Sequence, residues 1–177
     1  MDVKSNKIWY NTESINGKAS DKYQVDLGPD SAEFTRTDGC FITKTKITVA
    51  PNEALEIRKL ELLNTSNENK LVEITSYFEP VLSSAIQDES HKAFNNLFLK
   101  YKYENNILFV KRRDRNSKEN DVYMATSLYT KNESIGDLEY EVDKEKFVGR
   151  NNFGVTEYIK YSKKFTSSEE LVTNPIV

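Results

Sequence analysis

The feature that most constrains this chain is a two-residue rhythm of side chains, which suits a pleated strand and not an α-helix. Phe41, Thr43, Thr45, Ile47 and Val49 alternate with Ile42, Lys44, Lys46 and Thr48, as in a long strand with one wetter face. Ala50-Pro51-Asn52-Glu53 breaks that run, because proline fixes its own φ and asparagine favours turns. The following residues, Leu55, Ile57, Leu60, Leu62 and Leu63, fit helix or strand by spacing alone. Closely placed turn residues favour a strand, with residues 70–78 (Val72, Ile74, Ser76 and Phe78 on one face) as its hairpin partner across the polar loop 64–69.

The same rhythm recurs along the chain. Leu97, Leu99, Tyr101 and Tyr103 alternate with Phe98, Lys100 and Lys102; Glu104-Asn105-Asn106 then turns, since asparagine tolerates positive φ, and residues 107–111 return. Residues 23–27 and 32–36 pair around Gly28-Pro29-Asp30, Val122, Met124, Thr126 and Leu128 mark another strand, and residues 138–142 a shorter one. About nine or ten strands result, with turns at the roughly 8–12-residue spacing of an all-β, antiparallel fold. Helical expectations are few: one turn at residues 143–147, and a helix start at Ser167-Ser168-Glu169-Glu170, where serine caps free amides and glutamate suits the positive helix end. Residues 83–92 read as a long irregular loop between strands. Residues 1–177 read as one domain, a sandwich or a barrel, with 151–177 less regular.

Composition narrows the function. A net charge of −3 gives no reason to expect nucleic acid or an anionic membrane surface as partner. The single cysteine, Cys40, cannot close an intramolecular disulfide, which favours a reducing, cytoplasmic compartment. Residues 1–10 lack the apolar run of a signal peptide, and no stretch reaches membrane-spanning length. His91 is the only histidine and no nucleophile-elbow pattern accompanies it. One histidine and one cysteine make no metal set, and six glycines form no phosphate loop, so no cofactor and no metal are expected. Cys40, after Asp38-Gly39, reads as a small buried hydrophobe. The run Lys111-Arg112-Arg113-Asp114-Arg115 reads as a solvated strand end whose charge discourages edge pairing. Aromatic rings remain as candidate sugar platforms: Trp9 and Tyr10, and Tyr101 with Tyr103, although such residues in an all-β domain are more often core.

Five stretches in order carry a resemblance: residues 38–49 (DGCFITKTKITV), 56–64 (EIRKLELLN), 73–82 (EITSYFEPVL), 90–98 (SHKAFNNLF) and 147–150 (FVGR). Together they resemble the β-sandwich domain of cyclic β-1,2-glucan synthase-type proteins within glycoside hydrolase family ninety-four, which also holds cellobiose, chitobiose and β-1,2-oligoglucan phosphorylases. The likeness runs from Trp9 to Val177. It implies an antiparallel β-supersandwich, a galactose mutarotase-like carbohydrate-binding fold, here truncated at one or both ends. It also implies that the chemistry sits in an (α/α)₆ barrel elsewhere in a parent chain, with this domain as a non-catalytic support. The carbohydrate-binding candidates under that reading are Trp9, Tyr10, His91 and Tyr101, the ligand a β-glucan or oligosaccharide, and the protein partner the parent's barrel. The domain does not insert into a membrane, although the parent could be membrane-associated with this domain on the cytoplasmic side. A truncated sheet leaves an open edge, through which a homodimer could form. The alternatives are a stand-alone carbohydrate-binding module and a mutarotase-like epimerase. The latter is disfavoured because that chemistry commonly uses several histidines with a carboxylate.

Overall fold

A computed structural model of the chain describes residues 1–13, 19–113, 121–131, 134–136 and 138–148, with the side chains of residues 92, 93, 145 and 148 outside that description. The expectations for residues 151–177, including the helix start at Ser167, lie outside the described residues. The chain divides into two compact units, Met1–Ile74 and Thr75–Val177, each with its own antiparallel sheet.

The first unit holds β1 (Lys22–Leu27), β2 (Ser31–Asp38), β3 (Phe41–Val49) and β4 (Glu56–Asn64), hydrogen-bonded in the order β1-β2-β3-β4. Each turn follows from its residues. The Gly28 N–H donates to the Ser31 carbonyl at 2.8 Å to close β1–β2. Gly39, at φ +64°, supplies the left-handed backbone that lets β2 reverse into β3, a conformation costly for a residue with a Cβ. Around Pro51, the Ala50 N–H donates to the Leu55 carbonyl at 2.9 Å, so the chain re-enters as β4. The register sets Val25, Phe34, Thr45 and Leu60 in one row across all four strands, and Leu27, Ala32 and Ile47 in the row beside it.

Residues 70–78 do not pair with β4 as expected. Asn64 redirects the chain: its side chain donates to the Glu68 carbonyl at 2.8 Å and accepts from the Ser66 N–H at 3.0 Å. Thr65 N–H meanwhile bonds the Cys40 carbonyl, carrying the chain over the end of β3. Val72 then bridges to Asp2, and the amino group of Met1 donates to the Glu73 carbonyl at 2.7 Å.

The second unit holds β5 (Leu99–Glu104), β6 (Ile107–Arg112) and β7 (Val122–Ser127), in that order, with helices α1 (Ala85–Asn96) and α2 (Lys144–Val148). Asn105 and Asn106, at φ +52° and +61°, form the two-residue turn between β5 and β6, as their sequence suggests. Alternation sends Leu99, Tyr101, Leu108 and Val110 into a core with Val142, against which Leu82, Tyr103, Met124 and Tyr140 pack. Residues 138–142 form no strand: Tyr140 and Val142 pack on this core, and among the described residues the segment joins no sheet. Nor do residues 83–92 form a loop. Ser84 caps α1, its hydroxyl accepting from Gln87 N–H and its carbonyl from Asp88 N–H, and the helix kinks at His91 (φ −150°, ψ 55°). The expected turn at residues 143–147 is α2. Among the described residues there are thus seven strands, against the nine or ten expected.

Candidate carbohydrate-facing residues

In the first unit, Trp9 lies against one end of the sheet. Its ring stacks on Phe41 with centroids 4.7 Å apart and planes 18° from parallel, and Nε1 donates to Thr43 Oγ1 at 2.9 Å. Phe41 and Thr43 project to the same face because they are two apart on β3. Their register partners on β2 are Asp38 and Arg36. These two form a buried fork-to-fork pair, Nε to Oδ2 at 2.7 Å and Nη2 to Oδ1 at 3.1 Å. Arg36 Nη1 also donates to the Thr12 carbonyl at 3.2 Å, tying residues 9–12 to the sheet. Donation of these hydrogen bonds to the Asp38 carboxylate holds the Arg36 guanidinium above its ordinary pKa. Trp9 and Tyr10 are both half-buried, and burial pushes the Tyr10 phenol up. One Trp9 face and its N–H are therefore committed within the protein, and a sugar could use only what remains exposed. The Arg36–Asp38 pair left no sign in the sequence beyond its inward position on β2.

In the second unit, His91 is exposed at the kink of α1. Tyr101 is 6% exposed in the core, so it presents no open ring face. Its hydroxyl has no hydrogen-bond partner, and burial drives its pKa well above the tyrosine range. Tyr103 is half-buried against Tyr140, ring centroids 4.4 Å apart, and donates to Asn106 Oδ1 at 3.0 Å. His91 and Tyr101 thus belong to a different unit from Trp9 and Tyr10, and the geometry groups only the latter two.

Of the basic run, Asp114 and Arg115 lie outside the described residues, and the part at the end of β6 is only partly solvated, which corrects its reading as a water-facing strand end. Arg112 is buried, its guanidinium 5.7 Å from the Phe98 ring and its Nη2 donating to Asn95 Oδ1 at 3.4 Å. Arg113 lies 5.4 Å from the same ring. The signal was present, because Arg112 is in phase with inward Leu108 and Val110. A second cluster escaped the sequence reading: Tyr77 stacks on Phe147 and donates to Glu79, which also pairs with Lys144, pinning α2 to the extended segment before α1. Desolvation, with Glu79 accepting from the hydroxyl, drives the Tyr77 phenol far up. Among the described residues no group of His, Cys, Asp and Glu could hold a metal.

Against known proteins, the whole chain, residues 1–177, matches the family described as Glycosyl hydrolase 94, supersandwich domain. The chain belongs to that family. The supersandwich domain is also similar to the cyclic β-(1,2)-glucan synthase NdvB of Rhizobium meliloti (strain 1021), 30% identical over 144 residues. That similarity covers 80% of this chain but only 5% of the relative. Its mostly antiparallel sheets with few helices agree with the family's fold. No helix among the described residues is long and apolar enough to cross a membrane.

Proposed function

We propose that this supersandwich domain is a non-catalytic, glucan-handling support for an (α/α)₆ catalytic barrel, within a glycosyltransferase or phosphorylase acting on β-linked glucan. The observation that carries the reading is the family match along the entire chain, joined to a relative whose name specifies β-(1,2)-glucan synthesis. The half-buried pair Trp9 and Tyr10 is the contact surface that the geometry supports best, since aromatic rings stack on the apolar faces of sugars. His91 is a separate candidate contact within the second unit, and Tyr101 supports the fold from within. A cytoplasm-facing position is supported by the lone Cys40. The edges of the first sheet, which no strand among the described residues covers, are the self-association surface.

Calorimetry with linear and cyclic β-1,2-glucans tests the reading, alongside phosphorolysis and transfer assays on the same chain. Binding at micromolar to millimolar Kd, weakened by Tyr10→Ala with no turnover, is the expected result. Turnover by the chain alone would overturn the non-catalytic assignment. Flat titrations would leave support of the barrel without sugar contact.

A further inference from the structure

We propose that Arg112, with Arg113 beside it, binds the phosphate group of a small molecule, either free phosphate or a phosphate monoester. The inference stands apart from the glucan reading, because it uses only burial and charge within the second unit. Arg112 is 7% exposed, so its guanidinium has lost most of its hydration. A charge removed from water needs an opposite charge or a full set of hydrogen bonds. Arg36 has both, in its fork on Asp38. Arg112 has neither. Its Nη2 donates to Asn95 Oδ1 over a long 3.4 Å, and among the described residues no carboxylate pairs with it or with Arg113.

The surroundings hold the guanidinium in place while leaving donors available. The Asn95 amide also donates to the Gln87 carbonyl on α1, which fixes its oxygen toward Arg112. Phe98, 5.7 Å from the guanidinium, offsets part of the charge through its π face but offers no lone pair, so most of the N–H groups of the fork find no acceptor. The Tyr101 and Thr45 hydroxyls are sealed from solvent, whereas the unused nitrogens of Arg112 are not, and a small ion can reach them. Charge then selects the ligand class. Arg113 is exposed, and its guanidinium lies 5.4 Å from the same ring, so two like charges share one neighbour. Lys111 adds nothing further, because it pairs with Asp121. A phosphate carries nearly two negative charges at neutral pH and matches both guanidiniums, where a carboxylate would match one. The planar fork of arginine also fits phosphate oxygens two at a time.

Thermal unfolding of the full 177-residue chain in sodium phosphate, against sodium chloride of equal ionic strength, tests the proposal. For a Kd of about 1 mM, phosphate at about 20 mM should raise the midpoint by about 5 °C. Arg112→Met should abolish that excess over chloride. Arg113→Ala, at an exposed position that folding does not depend on, should weaken phosphate binding about tenfold, the loss of one charge-assisted contact. Methyl phosphate distinguishes the sources: tighter binding than phosphate assigns a monoester, weaker binding assigns the free ion, and both support the site. A wild type that phosphate stabilises no more than chloride overturns the proposal, the result expected if a carboxylate of the chain itself already fills the site. Sodium acetate acting as strongly as phosphate overturns the choice of ligand, and a phosphate response that survives both substitutions overturns the choice of residues.

Discussion

The two sheets of this chain solve the burial problem differently. The three-stranded sheet of the second unit closes over an apolar core of Leu99, Tyr101, Leu108, Val110 and Val142. The four-stranded sheet of the first unit has one buried large hydrophobe, Phe41, and otherwise buries Arg36, Asp38, Thr43 and Thr45 among its strand residues. Of its other apolar side chains, Phe34, Ile42, Ile47 and Leu62 are half-buried, while Val25, Leu27, Val49 and Leu60 are exposed. One sheet is held by hydrophobic packing, the other at one end by a hydrogen-bonded ion pair and a stacked tryptophan. Apolar alternation thus forms strands wherever it occurs, but closes a core only where something packs against it.

The largest test of this contrast is in the apolar core. Leu99→Ala should cost about 4 kcal/mol in urea unfolding, because it removes a filled volume, whereas Leu27→Ala, at 79% exposure, should change stability by less than about 0.5 kcal/mol. Next is the polar anchor. Arg36→Ala leaves Asp38 buried and uncompensated and should cost about 3 kcal/mol, while the double variant R36M/D38L should recover most of that loss. Trp9→Phe keeps the ring on Phe41 but deletes the donor to Thr43, a loss of about 1 kcal/mol by the same measurement. The smallest effects have the opposite sign. Each sheet buries a hydroxyl without a hydrogen-bond partner, Thr45 Oγ1 in the first and the Tyr101 phenol in the second. Thr45→Val and Tyr101→Phe should therefore raise the unfolding midpoint by about 0.5–1 kcal/mol equivalent each. If Tyr101→Phe instead weakened glucan binding, the phenol would have a role that its burial argues against.

How much could be read in advance follows the same physics. β1 to β3 and their turns were legible because alternation, Gly28-Pro29 and Gly39 act locally, and the Asn105-Asn106 turn was legible for the same reason. Residues 70–78 and 138–142 show the same alternation yet form no strands, since ladder partners are decided by where Asn64 sends the chain and by where Tyr140 and Val142 find a core. Helix α1 was missed because its polar sequence has little apolar periodicity, although Ser84 and Gln87 have the spacing of a capping box. At the candidate site, sequence found Trp9 and Tyr10 but could not separate buried Tyr101 from half-buried Tyr103, which occupy the same face of β5 one pleat apart. Arg36 with Asp38 was hidden because pairing across i and i+2 on an inward strand face looks in sequence like any two polar residues.

Trp9 is the chain's single tryptophan, and it belongs wholly to the first unit, with its indole fixed by Phe41 and Thr43. The polar-anchored half thereby carries the one indole fluorophore, and the other half only tyrosines. Emission on excitation near the red edge of protein absorption follows the undocking of the N-terminal segment alone, whereas far-ultraviolet dichroism follows both sheets. Two non-coincident melting curves would mean that the halves come apart independently, and superimposed curves that they unfold as one.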